Sequence, residues 1–304
     1  MDQSEADSGA RRRAQQGVWA LLGAACFWGV FPLYLRELRE VPALLVIAYR
    51  LVLCCVFVLL WLWRRHELQL VWQALRMPHT RSRLLASACL ISVNWLLYVW
   101  AVGHGRVLEA SLGYFINPLL NVLLGVLFLR ERLRRPQWIA VLLAALGVAY
   151  LTWRAGALPV IACLLGLSFG LYGLIRKTVA VESVVGLGAE TLLLTPLGAA
   201  FLAYVELRGQ GAFALLPART LALLMCSGVI TALPLWLFSF GARRVTYATV
   251  GLLGYLSPTM QLLLGVYVFH EAWDSARAWG FGLIWAGLAL YSADALRVRY
   301  ASAL

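Results

Sequence analysis

The chain has 304 residues, of which 62% are hydrophobic and only 13% are charged. A water-soluble domain has about 25% charged residues, so the composition excludes a soluble domain and favours a membrane protein. The net charge of +12 does not indicate nucleic-acid binding, because most basic residues fall in alternate loops between apolar stretches, the distribution that orients membrane spans.

Ten apolar stretches are long enough to cross a bilayer, which takes about 20 helical residues. In chain order we predict spans at 17–35, 42–63, 84–102, 107–129, 136–153, 157–175, 183–205, 219–240, 245–269 and 276–296. The basic loops predict that both termini face the cytoplasm. The longest polar connection contains segment 66–79, which we interpret either as an interfacial amphipathic helix ending before Pro78 or as an ordinary basic loop.

The second half of the sequence repeats the first. Pro118 and Glu131 are thirteen residues apart, and Pro258 and Glu271 show the same spacing 140 residues later. An odd number of spans per half inverts the second copy, and such inverted repeats usually hold a substrate site between them. The predicted fold is therefore an all-α integral membrane protein, with ten transmembrane helices in two inverted five-helix repeats.

The repeat and the predicted spans divide the chain into four parts. We predict a cytoplasmic N-terminal tail at 1–16, a first repeat at 17–155, a second repeat at 156–297 and a cytoplasmic C-terminal tail at 298–304.

Arg50 is the clearest candidate for a functional residue. It lies eight residues into the second span, about 12 Å from the end of that helix, and a charge at such a depth should face protein or a water-filled cavity. Either it contacts an anionic group of a solute, or it belongs to a buried ion pair that holds the helices together.

Glu190 lies at the corresponding position of the seventh span, where the repeat aligns it with Tyr49. We expect the repeat to bring it close to Arg50. It is then either a protonatable group that couples transport to the proton gradient or the fixed counter-ion of Arg50.

Further polar and aromatic residues lie within the spans. The amides Asn94, Asn117, Asn121 and Gln261, with Ser257, either face a cavity or form hydrogen bonds between helices. Trp28, Tyr49, Tyr98 and Tyr114 belong to an aromatic set that could line a cavity for an amphipathic solute. We place Arg50, Glu190, Asn94 and Asn117 in the same mid-membrane cavity.

Pro118 and Pro258 are expected to kink their helices, since proline lacks a backbone donor. Glu131 and Glu271 follow at the ends of these helices, where a carboxylate opposes the helix dipole and needs a basic or amide partner. We interpret this set of four residues as gate or structural residues.

Enzymatic motifs do not occur in the sequence. It contains no GxxxxGK[ST], GxSxG or HExxH pattern, and its six cysteines lack the ligand spacing of a zinc site. We therefore expect no enzyme, no metal and no cofactor.

Four segments resemble a known family: 109–119 (EASLGYFINPL), 94–101 (NWLLYVWA), 168–173 (SFGLYG) and 190–196 (ETLLLTP). The chain is similar to the RarD-type permeases of the EamA family, in the drug/metabolite transporter superfamily. The resemblance implies ten helices, two EamA repeats and a multi-pass protein of the bacterial inner membrane.

The expected function is that of a secondary transporter, an exporter of a small amphipathic metabolite or drug that works by alternating access. Its partners would be the solute, the lipid bilayer and, if transport is coupled, protons, but not nucleic acid. The alternative is a non-transporting membrane scaffold or sensor. The sequence leaves open the solute, the direction of transport (import or export), the coupling ion and the oligomeric state.

Overall fold

The computed structural model describes residues 3–104, 107–156, 160–211, 216–268 and 275–301. In this part of the chain the secondary structure is α-helical, and we number the helices α1 (Gln3–Glu37), α2 (Ala43–Arg64), α3 (Leu68–Arg76), α4 (Pro78–Gly103), α5 (Val107–Leu129), α6 (Arg135–Ala155), α7 (Val160–Thr178), α8 (Ser183–Leu207), α9 (Ala218–Met225), α10 (Ser227–Ala242), α11 (Tyr247–Gly254), α12 (Leu256–Tyr267) and α13 (Ser275–Ala301).

Seven helical segments of the described chain are long and apolar enough to cross a membrane. They are Arg11–Glu37, Ala43–Arg64, Arg135–Arg154, Val160–Thr178, Ser183–Leu207, Ala218–Ala242 and Tyr247–Tyr267, with the shorter apolar stretch Gly113–Leu129 in α5. Two of the seven consist of consecutive helices, α9 with α10 and α11 with α12. The all-helical class agrees with the prediction, whereas the count of ten spanning helices stays a prediction.

Several boundaries differ from those predicted. α1 begins at Gln3, because the polar residues before the first span are mostly good helix formers such as alanine, arginine, glutamate and glutamine. The predicted ninth span is divided at Tyr255 between α11 and α12. Pro258 follows three residues later and cannot donate to the carbonyl of Gly254, so the break accompanies the proline. By contrast, α5 continues through Pro118.

α2 and α8 pack side by side in opposite directions. The backbone at Gly188 faces Leu62 and Val58, and the backbone at Gly198 faces Leu51 and Val52. We name the two ends of the bundle after the residues that flank α2, the Pro42 end and the Arg65 end. α7 ends, and α8 begins, at the Arg65 end.

The remaining helices form a bundle in which small residues permit close contact. Gly147 in α6 faces the carbonyl of Gly280 in α13, and Gly287 of α13 faces the carbonyl of Ala140. α1 packs against α10 and α12, α4 against α7, and α5 against α7 and α11. At the last of these contacts the Gly251 backbone lies against the carbonyl of Pro118.

Segment 66–79 contains a helix, α3, as the amphipathic interpretation expected. Its Val71 and Ala74 are buried, while Trp72 is exposed. Val71 contacts α8 beside Gly188, so α3 covers the start of α8 at the Arg65 end.

Candidate functional site

Arg50 lies between two aromatic rings, and only its Nε forms a hydrogen bond to a described residue. Its guanidinium carbon is 4.9 Å from the Phe31 ring centroid and 5.1 Å from that of Trp95. Its Nε donates to Thr231 Oγ1 over 3.0 Å. The two terminal nitrogens of this half-buried side chain form no hydrogen bond or ion pair to any described residue, so both can donate to a ligand.

Three tyrosines complete the surroundings of Arg50. Tyr34, Tyr98 and Tyr114 are near enough to interact with its charge. Tyr98 and Tyr114 stack edge to face with centroids 6.2 Å apart, and Tyr114 is 43% exposed. We call this site the Arg50 cavity: Arg50 and Thr231 together with Phe31, Tyr34, Trp95, Tyr98 and Tyr114.

A second group of aromatic residues surrounds Trp28, which lies one helical turn before Phe31 on α1. Trp28 packs edge to face on Phe169 with centroids 5.5 Å apart, and both rings contact Phe238. Tyr172 stacks on Phe238. These four residues, which we call the aromatic layer, lie on the side of Arg50 that faces the Arg65 end.

Glu190 lies beyond the aromatic layer and is only 2% exposed. Its Oε1 is 3.6 Å from Nη1 of Arg176, and it accepts a hydrogen bond from Ser87 Oγ. Arg176, which is completely buried, also donates to Ser239 Oγ over 3.1 Å and to the Ser183 carbonyl over 2.6 Å. The result is a buried ion pair with several polar partners.

Of the two alternatives for Glu190, the fixed counter-ion of Arg50 is therefore wrong, since Glu190 pairs with Arg176. The reason is the antiparallel packing of α2 and α8, in which equivalent positions lie at opposite depths. On α10, Thr231 bonds to Arg50 and Ser239 bonds to Arg176. These contacts are eight residues apart, about 12 Å along the helix.

Asn94 and Asn117 tie neighbouring helices to α7. Asn94 Nδ2 donates to the Leu165 carbonyl over 2.8 Å and to Ser168 Oγ over 2.9 Å. Asn117 Nδ2 donates to the Gly166 carbonyl over 3.0 Å. Their amide donors are thus used between helices.

Asn121 and Gln261, which the sequence repeat aligns, each contact the polar side chain four residues before them. Asn121 Nδ2 donates to Asn117 Oδ1 over 3.2 Å. At the equivalent place in the second half, Gln261 Nε2 donates to the Trp28 carbonyl over 3.1 Å and approaches Ser257 Oγ at 3.4 Å.

Tyr49 does not face the Arg50 cavity. It is 5% exposed and packs with Leu45 and Leu224, and its hydroxyl lies 3.3 Å from Glu206 Oε1. Adjacent positions on a helix point in different directions, so Arg50 and Tyr49 contact different neighbours.

Glu131 has the amide partners that its position requires. Its two carboxylate oxygens accept hydrogen bonds from the backbone N–H groups of Tyr247, over 2.5 Å, and Ala248, over 2.9 Å. These groups are at the start of α11, where a negative charge is favourable. Glu271 lies outside the described residues.

Arg176, Lys177, Ser87 and Thr231 are the polar partners that sequence reasoning missed. Arg176 and Lys177 directly follow the predicted span 157–175, where a basic loop was expected, but both belong to the last turn of α7. Lys177 Nζ donates to the carbonyls of Ala242, over 2.8 Å, and Val245. Their position directly after an apolar helix was a usable signal, whereas nothing in the sequence distinguishes Ser87 or Thr231 from other small polar residues in spans.

Comparison with known proteins gives consistent matches. Residues 15–153 match the model of the EamA-like transporter family. The uncharacterized transporter YojE of Bacillus subtilis is 42% identical over 279 residues, which cover 90% of this chain and 93% of that protein. Protein RarD of Escherichia coli is 37% identical over 285 residues, 94% of this chain and 96% of that protein.

A solved crystal structure also shares the fold. It aligns with a TM-score of 0.70 over 93% of this chain and 99% of that chain, at 19% sequence identity. This likeness concerns the backbone architecture alone.

Proposed function

The chain belongs to the RarD-type permeases of the EamA-like transporter family, and from this we propose that it is a secondary transporter for a small amphipathic solute with a carboxylate or another acidic group. It binds the solute in the Arg50 cavity and exports it across the bacterial inner membrane by alternating access. Both termini are on the cytoplasmic side, in keeping with the basic loops.

The observation that carries this proposal is the state of Arg50. Two aromatic rings and Thr231 hold its guanidinium in place, while its terminal nitrogens have no partner among the described residues. A planar guanidinium binds a carboxylate through two parallel hydrogen bonds. The surrounding tyrosines and Trp95 supply the apolar surface that an amphipathic solute needs.

Helix packing supports the two inverted repeats. Each contact of α1 has a counterpart at α7, the equivalent helix of the second half. The contact of α1 with α10 corresponds to that of α7 with α4, and the contact of α1 with α12 corresponds to that of α7 with α5. The pairs α2–α8 and α6–α13 map onto themselves. Trp28 and Phe169 are 141 residues apart, align in the sequence repeat and contact each other, as expected of residues near a pseudo-two-fold axis.

Contacts join the two halves at both ends of the bundle. At the Pro42 end, Tyr34 donates to the Leu223 carbonyl, and Arg219 pairs with Glu37. At the Arg65 end, near the buried Glu190, the contacts include Ser87 with Glu190, Arg83 with the Thr178 carbonyl at 3.3 Å, Glu131 with the start of α11, and Arg134 with Asp294. Opening toward the cytoplasm breaks the contacts at the Arg65 end and exposes Glu190 to water, which makes Glu190 the candidate for proton coupling.

The test is solute counterflow in liposomes that contain the purified protein and are preloaded with candidate acids. We expect wild-type protein to exchange at least one aromatic or aliphatic carboxylate. Arg50→Gln should reduce exchange at least tenfold, because a charge-assisted bidentate contact contributes about 1.5–3 kcal/mol. Arg219→Gln is the matched control, since Arg219 is exposed and pairs with the exposed Glu37.

Proton coupling is tested in the same liposomes with a pH gradient. Glu190→Gln should keep solute binding and lose the acceleration by the gradient. Absence of exchange for every acidic solute, or equal exchange by Arg50→Gln and wild type, contradicts the proposal and favours a scaffold or sensor.

A further inference from the structure

An apolar cleft lies between α2, α8 and α10, apart from the Arg50 cavity. Its volume is about 90 Å³. Phe57 and Trp61 of α2 form one wall, Leu233 and Trp236 of α10 form the other, and Val184 and Leu187 of α8 form the floor. We call it the lateral cleft.

The lateral cleft opens toward the outside of the bundle. Its floor is buried, whereas Trp61 on its wall is 45% exposed. On α10, Leu233 and Trp236 lie along one stripe with Val229, which is 43% exposed. The side chains of α10 that face the interior, Thr231 and Phe238, lie on the other side of this helix. In a multi-pass membrane protein, such an opening faces lipid acyl chains.

The two walls run in the same direction and reach the Arg65 end together. Leu53 packs on Gly228, and further along Trp61 and Trp236 both line the cleft. Arg64 follows Trp61 by three residues, about 4.5 Å along the axis. On the other wall, the Arg244 guanidinium lies 3.3 Å from the centroid of Phe240, one turn beyond Trp236.

The mouth of the lateral cleft carries an excess of positive charge. Arg65 is bound to Glu67 at 3.1 Å, and Glu182 acts on Arg243 and Arg244. Arg244 packs against Gly17 of α1, donates to the Phe240 carbonyl over 2.9 Å and is also near the like charge of Arg13. The pKa of Arg243, which lies outside the spans, is lowered by loss of solvent and then by the neighbouring charges of Arg176 and Arg244. An added anion would relieve this repulsion.

We propose that the lateral cleft binds one anionic phospholipid, with an acyl chain between the aromatic walls and the phosphate against Arg64 and Arg244. An empty apolar cavity stays dry, and at this depth hydrocarbon is the material available to fill it. Basic pockets between helices at the cytoplasmic side of a membrane bind acidic head groups. The shape, the polarity and the charge of the cleft all match this occupant.

The test uses the tryptophans of the cleft as reporters. Wild-type protein is placed in nanodiscs of phosphatidylcholine with increasing fractions of phosphatidylglycerol brominated on its acyl chains, and tryptophan quenching is followed. Brominated phosphatidylcholine serves as the reference lipid. The saturable part of the quenching should require about thirtyfold less phosphatidylglycerol than phosphatidylcholine, the preference expected from two arginines near one phosphate.

Two variants separate this site from general attraction to the leaflet. Arg64→Gln with Arg244→Gln should abolish the preference, and Trp61→Phe with Trp236→Phe should remove the saturable quenching. The control pair Arg132→Gln with Arg135→Gln makes the same charge change at the same end, on exposed residues away from the cleft, and should keep the preference. Equal quenching by both lipids, or an equal loss in the control pair, overturns the proposal.

Discussion

At the residue scale, two charged side chains within the spans, Glu190 and Arg50, serve different purposes. Glu190 pairs with Arg176 and accepts a hydrogen bond from Ser87. Arg50 donates a hydrogen bond to Thr231 and lies between two aromatic rings. These contacts orient its guanidinium but do not neutralise the charge. A cation held in place but left without an acidic partner among the described residues is suited to binding an anion that comes and goes.

The pair of Glu190 and Arg176 should behave as a buried unit. Removing one charge leaves the other buried without a partner, which typically costs 3–5 kcal/mol. We expect Glu190→Gln and Arg176→Met each to lower the melting temperature in detergent markedly, and the double variant to lose much less than the sum of the two. Additive losses would contradict this coupling. The exposed pair Glu37 and Arg219 should show coupling below about 1 kcal/mol.

At the element scale, the contact between Arg176 of α7 and the start of α8 depends on a glycine, Gly186. A Cβ atom at Gly186 would overlap the guanidinium of Arg176. Gly186→Ala should therefore displace Arg176 from Glu190 and lower the melting temperature to a similar extent as Arg176→Met. Gly282→Ala in α13 is the matched control, because a Cβ there meets no described atom within 4 Å. Equal stability of the two alanine variants would refute the role of Gly186.

The start of α11 is held by a carboxylate from the other half of the chain. Glu131 accepts hydrogen bonds from the N–H groups of Tyr247 and Ala248, and Thr246 accepts one from Thr249. Glu131→Ala should cost about 1–2 kcal/mol and accelerate hydrogen exchange in 247–254 by about tenfold. Thr246→Ala removes the local cap alone and should have a smaller effect. Unchanged exchange in Glu131→Ala would show that the contact does not hold α11.

Sequence patterns predicted the helices better than they predicted which side chains contact each other. The apolar stretches gave the helical class and the approximate position of most helices, because hydrophobic length is a strong signal. Glu131 was expected to have an amide or basic partner, and it binds two backbone amides. The partner of Glu190 was missed, since the repeat aligns positions in sequence but reverses their depth, and a linear pattern does not reveal which side of a helix meets which neighbour.

At the scale of the whole molecule, the two polar sites lie on opposite sides of the aromatic layer. Tyr114 beside Arg50 is 43% exposed, while Glu190 at the Arg65 end is 2% exposed. In a transporter with alternating access, solute binding should exchange these states. The contacts that join the halves at the Arg65 end would then open as the Pro42 end closes.

The measurement that tests this account most directly is the distance across each end of the bundle with and without solute. Spin labels go at the exposed positions Ser82 and Ala180 for the Arg65 end, and at Arg39 and Gln210 for the Pro42 end, with native cysteines replaced. We predict that a transported acid lengthens the first distance and shortens the second, and that Arg50→Gln abolishes both changes. Distances that stay the same with a transported solute, or that change together at both ends, would contradict alternating access around Arg50.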